Sequence, residues 1–143
     1  MITFKFFHDP SLTQEIDVGD PLTATQDSAG GIGPVDKVIY LGSPASATQI
    51  QAASDPGVDP IVVSIVDADP GTGAPASEFR LALSSGGLAS ATPGDPLTLS
   101  HTLLSGTGNA VPIYTRRTSA LTVPGAYTDL SLQTNSVTEG PAP

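Results

Sequence analysis

Apolar positions along this chain come in short runs separated by clusters of proline and glycine. The most regular part is Asp59–Leu83, in which two largely β-branched or aliphatic runs, Ile61–Val66 and Phe79–Leu83, flank a segment of turn formers. Runs of this length with such flanks are typical of strands, and their nearly continuous apolar character indicates burial on both faces. We therefore predict two strands in the middle of a two-layer core, with the rest of the chain arranged around them.

The same alternation of short runs and turns predicts further strands on both sides of this pair. They are Ile2–Phe7, Leu12–Val18, Lys37–Leu41, Ala47–Ala53 (alternatively a short helical turn), Leu88–Ala91, Leu97–Leu103, Ala110–Arg117 and Tyr127–Val137. Pro112 cannot donate a ladder hydrogen bond, which favours an edge position or a bulge for its strand. His101 falls on the apolar face of Leu97–Leu103, which favours a hydrogen-bonded core or interface histidine.

The predicted fold is all-β, an immunoglobulin-like antiparallel β-sandwich of about seven strands with an N-terminal arm or extra hairpin. Residues 1–34 form the arm and a long loop, because Gly19–Pro34 is polar, glycine-rich and without periodicity. Residues 35–137 form the sandwich, and residues 138–143 form a flexible tail. In the arm, Phe4 and Phe6 share one face and Phe7 lies on the other, so both faces need cover, one of them from a partner.

Charge and cysteine content narrow the range of functions. The chain has 143 residues, of which 13% are charged, and a formal net charge of −9 with only five basic residues. Each contact with a phosphate needs a cation, so nucleic-acid binding and adsorption to anionic lipid are disfavoured. The absence of cysteine excludes disulfides and thiolate metal sites. The sequence shows no signal peptide and no bilayer-spanning apolar run, so we expect synthesis in the cytoplasm.

One group of carboxylates has the spacing of a calcium loop. Asp67, Asp69 and Glu78 occupy positions one, three and twelve of that template. However, position four is Pro70 and the glycine required at position six is Thr72. Solvated carboxylates in a turn are therefore the favoured interpretation, with calcium as the alternative.

No combination of side chains in the sequence matches a catalytic motif. Asp55 and Asp59 flank a Pro-Gly turn, where aspartate side chains ordinarily bond the turn backbone. His8 and His101 lie far apart, and neither belongs to a nucleophile motif. The glycine clusters at 30–33 and 106–109 lack the lysine and hydroxyl residues of a phosphate loop. We therefore predict a non-enzymatic protein without catalytic residues, cofactor or metal site.

Arg116–Arg117 is the one pair of adjacent basic residues, and it ends a strand that carries Tyr114. In so acidic a chain these arginines are candidates to pair with a carboxylate of this protein or of a neighbour, with simple solvation as the alternative. Together with Phe4, Phe6 and Phe7, Arg116 and Arg117 are the predicted interface residues.

Two phrases of the sequence carry a resemblance to a known class of proteins. VIYLGS at residues 38–43, followed by turn-rich strands and then by VPGAYTDL at residues 123–130, resembles small structural proteins of tailed bacteriophages. The second phrase is also similar to the last strand of immunoglobulin-like pilin and coat domains. The resemblance implies a virion component, a tail-tip or baseplate protein or a capsid decoration protein, that assembles with itself and with other virion subunits. The alternative is a module that binds a host-surface glycan or receptor through the Asp55–Glu78 loops.

Overall fold

The computed structural model describes residues 2–17, 19–23, 34–71, 75–118, 128 and 130–143. Within these ranges the regular structure is β-strand apart from three short 3₁₀ helices, and the strand pairs are antiparallel. The strands are β1 (Lys5–Phe7), β2 (Val35–Gly42), β3 (Thr48–Ala52), β4 (Val62–Asp67), β5 (Phe79–Ala82), β6 (Leu97–Thr98), β7 (Thr102–Leu104), β8 (Val111–Arg117), β9 (Leu130–Thr134) and β10 (Val137–Pro141). The 3₁₀ helices are Ala76–Glu78, Gly86–Ala89 and Thr107–Asn109. The predicted all-β class with antiparallel sheets is confirmed.

One sheet has four strands in the order β1-β2-β8-β5. Ile39 and Ile113 lie opposite each other in the β2–β8 ladder and are completely buried, which defines the inner face of the sheet. Successive side chains point to opposite faces, so the even-numbered residues of β2 and β8 lie on the outer face. The predicted strands Lys37–Leu41 and Ala110–Arg117 are confirmed as β2 and β8.

Pro112 lies in an interior strand, but at a point where that strand has only one neighbour. It is paired with Tyr40 of β2. On the other side of β8, the ladder with β5 runs only from Tyr114 to Arg117. Pro112 therefore lies beyond the end of β5, and its missing N–H costs no hydrogen bond to that strand. Pro112 thus has a strand on one side only, as expected for an edge position, although β8 as a whole is an interior strand.

Two three-stranded sheets, in the orders β10-β3-β7 and β6-β4-β9, continue into one another. Only three residues separate β6 from β7, and only two separate β9 from β10. Backbone hydrogen bonds bridge the junction, from Ala53 N to Ser136 O at 2.9 Å and from Ile61 N to Ser100 O at 3.0 Å. The two sheets thus form one layer of three long, interrupted strands, and residues 53–61 loop out of the middle one. The ambiguous Ala47–Ala53 segment is a strand.

The hydrophobic core lies between the four-stranded sheet and this second layer. The four-stranded side contributes Phe4, Ile39, Leu41, Leu81 and Ile113. The second layer contributes Ile50, Ile61, Val63, Leu99 and Leu103. Both layers therefore bury their inner faces against one shared core.

The two runs predicted to form the middle of the core do not pair with each other. Ile61–Val66 gives β4, the middle strand of its sheet, whereas Phe79–Leu83 gives β5, an edge of the four-stranded sheet. The prediction failed for β5 because Leu88, 1% exposed, belongs to a 3₁₀ helix that packs on this strand. An edge strand that is covered on both faces has the same apolar pattern as a central one.

Leu97–Leu103 is not one strand, and His101 is not a core residue. The segment divides into β6 and β7, which pair with β4 and β3 respectively. Leu99 and Leu103 are buried as predicted, but His101 is exposed. The alternation is broken where the chain passes from one half of the second layer to the other.

The C-terminal segment is a strand and not a flexible tail. Val137–Pro141 forms β10 and pairs with β3 over five residues. The glycine and proline of this segment gave no strand signal, but both are tolerated in an edge strand. The predicted strand Leu88–Ala91 is also wrong, because Gly86–Ala89 is a 3₁₀ helix. The predicted Tyr127–Val137 strand is confirmed from Leu130 to Thr134 as β9.

Residues 2–17 form the expected extra hairpin in an irregular form. Asp9 closes its turn by accepting hydrogen bonds from the backbone N–H groups of Thr13 and Gln14, at 3.1 and 2.8 Å. The returning segment was predicted as a strand over Leu12–Val18. Its described residues, 12–17, make one isolated bridge, between Glu15 and Phe7, and a backbone hydrogen bond from Ile16 N to Phe6 O at 2.9 Å. Most of the long loop predicted between Gly19 and Pro34 lies outside the described residues.

Candidate functional site

The outer face of the four-stranded sheet carries a strip of aromatic and apolar side chains. Val38 lies opposite Tyr114, and Tyr40 lies opposite Pro112. The two tyrosines are therefore diagonal neighbours on one face, a spacing that aromatic side chains can bridge. Pro112 is exposed and the other three are partly exposed. We call these four residues the tyrosine strip.

Two ridges border the tyrosine strip. At one end Leu12 folds over Gly42, so closely that a Cβ at this glycine would lie 2.9 Å from Leu12 Cδ1. At the other end the 3₁₀ helix Gly86–Ala89 lies against Ala82 of β5. Leu12 and Leu88, the apolar residues of the two ridges, are 3% and 1% exposed. The tyrosine strip is thus the floor of a shallow trough between two closely packed ridges.

The Asp36–Arg116 ion pair continues the trough on the same face. The guanidinium donates from Nε to Oδ1 at 2.8 Å and from Nη2 to Oδ2 at 2.9 Å, the two-point geometry that suits these groups. The hydrogen bonds from Arg116 lower the pKa of Asp36 and, reciprocally, raise the pKa of Arg116, against the smaller opposing effect of burial. Both side chains remain partly exposed. The pairing of this arginine with a carboxylate of its own chain matches one of the predicted alternatives.

Arg117, the other arginine of the pair, points to the inner face. Its Nη2 lies 3.8 Å from Oε2 of Glu78, and its guanidinium carbon lies 5.8 Å from the centre of the Phe79 ring. The side chains of Arg117 and Glu78 are 14% and 2% exposed. In this conformation Arg117 holds the end of the sheet together and offers little surface to a partner.

The phenylalanines of the N-terminal arm are also used within the chain. Phe4 and Phe7 are 7% and 5% exposed, and Phe6 packs partly buried against the core. Both faces of this segment are covered, as predicted, and in the single chain the cover comes from the chain itself. The side chains can serve as interface anchors only if the segment leaves its own body.

A polar cluster joins the N-terminal segment to the C-terminal strand. Thr3 donates from its backbone N and from its Oγ1 to the two carboxylate oxygens of Glu139, both at 2.5 Å. Thr3 Oγ1 also lies 2.6 Å from Oγ of Ser43, which is completely buried. Because the single proton of the Thr3 hydroxyl goes to Glu139, Ser43 is the donor in that contact. Burial alone would raise the pKa of Glu139, but the two hydrogen bonds from Thr3 are the main opposing effect, and this pKa stays below the ordinary value.

A shallow depression of about 510 Å³ lies beside this cluster. Ile2, Phe7 and Pro44 are among its lining residues, and Lys5 and Glu15 pair across 3.1 Å at its side. The lining is largely apolar, and its two charged groups neutralise each other. The depression therefore lacks the convergent, unpaired polar groups of a catalytic pocket.

The carboxylates with calcium-loop spacing do not come together around one point. Asp67 Oδ1 accepts a hydrogen bond from the backbone N–H of Asp69 at 2.9 Å, an ordinary turn contact. Glu78 lies beside Arg117 instead. A search of the described residues found no group of three histidine, aspartate or glutamate side chains able to hold a metal ion. The ring of His8, far from His101 in the sequence, lies 3.0 Å from the backbone oxygen of Asp20.

The sequence analysis predicted Arg116 as an interface residue and noted Tyr114 on the same strand, but it did not identify the residues that β2 contributes to the trough. The missing signal was the alternation along β2, where Ile39 and Leu41 are buried and Val38 and Tyr40 face the opposite way. Leu12 could not have been assigned to a ridge, because its backbone φ of 56° is rare for a residue other than glycine.

Comparisons of the chain with models of known families, with curated proteins and with solved structures found no match. Among the described residues, no helix is long and apolar enough to cross a membrane. The case for a function therefore depends on the chemistry of the chain itself.

Proposed function

We propose that this protein is a non-enzymatic structural subunit that binds other protein subunits through the tyrosine strip and the adjacent Asp36–Arg116 pair. The supporting observation is the composition of the trough. Tyrosine and arginine are the residue types that most often supply binding energy at protein interfaces. Two partly exposed rings side by side offer apolar contact area together with hydroxyl groups that can hydrogen-bond at its margin.

We further propose that the assembly is the virion of a tailed bacteriophage. A tail-tip or baseplate position is the first choice, and capsid decoration is the alternative. Support comes from the resemblance of VIYLGS at 38–43 and VPGAYTDL at 123–130 to small phage structural proteins. The partners would be further copies of the chain and other virion subunits, without nucleic acid, cofactor or membrane insertion, after synthesis in the host cytoplasm.

The proposed immunoglobulin-like character concerns architecture and not connectivity. Counting the interrupted strands of the second layer as three, the chain has seven extended segments, four in one layer and three in the other. Numbered from one to seven along the chain, these segments have the order 1-2-6-4 in the first layer and 7-3-5 in the second. The constant-type immunoglobulin domain combines its strands as 1-2-5-4 and 3-6-7. The proposal is therefore a β-sandwich of immunoglobulin size and layering with its own order of strands.

Substitution of the tyrosines tests the binding face. Tyr40→Ser and Tyr114→Ser should each weaken binding to isolated virions by roughly thirtyfold or more, because a truncated hot-spot side chain costs about 2 kcal/mol or more. Leu104→Ser is the matched control, since Leu104 is 43% exposed but belongs to the other layer. Co-sedimentation of each folded variant with virions gives the affinity. Equal binding by all three variants would contradict the proposal.

The place in the particle needs a separate measurement. Gold-labelled antibodies raised against the purified chain should decorate the tail end of tailed particles from the source culture. Decoration of the head would favour the capsid alternative. Tailed particles that contain no copy of the chain would contradict the virion proposal altogether.

A second candidate function is recognition of a host-surface glycan or receptor through the Asp55–Glu78 loops. One observation favours it: Val58 is 62% exposed at the tip of the turn that leaves the second layer. The turn is closed by hydrogen bonds, with Val58 N donating to Asp55 O at 3.1 Å and Ser54 Oγ donating to Asp59 Oδ2 at 2.6 Å. Saturable binding of the purified chain to host cells, lost in Val58→Ser, would support this function. Non-saturable binding would exclude it.

A further inference from the structure

We propose that the N-terminal segment, residues 2–16, exchanges between two copies of the chain. In the exchanged pair, each segment docks on the other copy, at the site that it occupies on its own chain in this structure. The inference deepens the proposed role in assembly and depends on it, because it names a second copy as one of the partners. It accounts for an arm whose phenylalanines are already buried in the isolated chain.

The segment is anchored by side chains that enter discrete sites on the body. Phe4 joins the main core, and Phe7 is buried on the opposite face of the same strand. Leu12 is 3% exposed and occupies the space left by the missing side chain of Gly42. These three contacts define a docking site shaped for this sequence, and a segment from another copy carries the same three residues.

The segment is also peripheral to the rest of the fold. β1 pairs only with β2, over three residues, at the edge of the four-stranded sheet. Its removal leaves the β2-β8-β5 ladders intact. The hydrogen bonds from Thr3 to Glu139 involve the side chain of Glu139, whereas β10 itself is held by its pairing with β3. Apart from β1, the two layers are thus built from residues outside the segment, and so is most of the core.

The connection is long enough for exchange. Eighteen residues, 17–34, lie between Ile16 and Val35. At about 3.3–3.6 Å per residue, they span up to roughly 60 Å when extended. Such a reach is sufficient for a segment to dock on a neighbouring copy while its own body remains where it is.

In the closed state the segment docks on its own chain, and in the exchanged state it docks on a second copy. The balance between the two states follows from mass action. Both states make the same contacts, so the difference between them is mainly the entropy of bringing two copies together. For sites joined within one chain, the effective concentration is of the order of millimolar. Exchange should therefore be rare in dilute solution and favoured where copies are packed together, as in an assembled particle.

The absence of cysteine allows a direct test with two single variants. Thr3→Cys places a thiol on the segment, and Ser43→Cys places one at its docking site, where the native hydroxyl oxygens are 2.6 Å apart. The two variants are unfolded together in urea, refolded at about millimolar concentration and oxidised. A covalent dimer that joins the two different variants is expected, because a segment of one chain docked on the other brings these two thiols together.

The control is Thr3→Cys mixed with Ser131→Cys. Ser131 is exposed on β9, so random collisions would oxidise it more readily than the buried position 43. The quantity compared is the mixed disulfide between the two different variants, identified by its mass. Equal amounts of it in both mixtures, or none in either, would overturn the inference. The double variant T3C/S43C should form the bond within one chain at low concentration, which checks that the segment still docks. As a measurement without substitutions, the native chain refolded at high concentration should yield a dimer whose share falls towards the closed monomer on dilution, and a monomer alone at high concentration would count against exchange.

These outcomes are independent of the tests of the proposed function. Loss of exchange with normal binding through Tyr40 and Tyr114 would refute the inference alone. Normal exchange without any association with virions would refute the proposed function and leave a chain that pairs only with itself.

Discussion

Replacement of Gly42 by alanine tests how the N-terminal segment is held. The new Cβ would lie 2.9 Å from Cδ1 and 3.3 Å from Cδ2 of Leu12, and 3.4 Å from Cα of Ala110. Overpacking at a buried site of this kind costs about 1–3 kcal/mol. Alanine is favoured over glycine within a strand by roughly 0.5–1 kcal/mol. We therefore expect Gly42→Ala to destabilise the protein by about 1 kcal/mol, the difference between these two effects.

The sign of that effect should reverse when Leu12 is shortened. Leu12→Ala alone should cost about 2–5 kcal/mol, because a buried leucine is lost. In that background the Cβ at position 42 meets no methyl groups, so Gly42→Ala should stabilise by roughly 0.5–1 kcal/mol. Urea unfolding of the native chain, both single variants and the double variant gives the coupling energy, expected at about 1–3 kcal/mol. If Gly42→Ala had the same effect in both backgrounds, the contact between Leu12 and Gly42 would not be the one that holds the ridge.

Three further predictions concern the body of the fold. Hydrogen bonds hold the pKa of Glu139 in the folded chain below the ordinary 4.5, so its contribution to stability is fully present above that value and is lost as the pH falls through the lower, folded-state pKa. Thermal unfolding from about pH 7 to about pH 3 should show a larger loss of stability in the native chain than in Glu139→Gln, which keeps the contribution of other carboxylates such as Asp36. Ile113→Ala should lower the free energy of unfolding by about 2–5 kcal/mol, because the side chain is completely buried, whereas a cost below about 1 kcal/mol would argue against the two-layer core. Asn135 accepts a hydrogen bond from Val62 N at 2.9 Å and donates one to the oxygen of Pro60 at 3.2 Å, so Asn135→Asp, which retains only the acceptor, should destabilise by about 1–3 kcal/mol in the same assay.

The strands of this protein were predictable wherever a single periodicity ran from turn to turn. Val111–Arg117 and Val35–Gly42 satisfy that condition; the first was predicted to within one residue, and the second over its middle part, Lys37–Leu41. The turn at Asp55-Pro56-Gly57 was also found, because proline fixes one dihedral angle and Gly57 supplies a φ of +80°. Local sequence was sufficient for these features because only local geometry was needed to form them.

The errors occurred where the pattern of burial is set by distant parts of the chain. Leu97–Leu103 alternates like one strand, but its two ends pair with different strands, and the break falls beside His101. Val137–Pro141 lacks a strand pattern of its own, and its pairing with β3 depends on residues nearly ninety positions earlier. The Thr3–Glu139 contact spans 136 positions and involves polar residues that no hydrophobic pattern marks. Such contacts follow from the arrangement of the layers, which the sequence pattern alone did not specify.

The two proposed surfaces share a residue, and this connects self-assembly to the binding of other subunits. Leu12 forms one ridge of the trough that contains Tyr40 and Tyr114, and it belongs to the segment proposed to exchange. In an exchanged pair, the trough of each copy is therefore completed by a leucine from its neighbour. Consider a subunit that binds the trough only when a Leu12 ridge is in place. It binds equally well whether that leucine comes from the same chain or from a neighbour, but it does not bind a copy on which no segment is docked. Binding must then stabilise the docked segment, and by reciprocity docking must strengthen binding. Removal of residues 2–16 should consequently weaken binding at the tyrosine strip even though both tyrosines remain on the sheet.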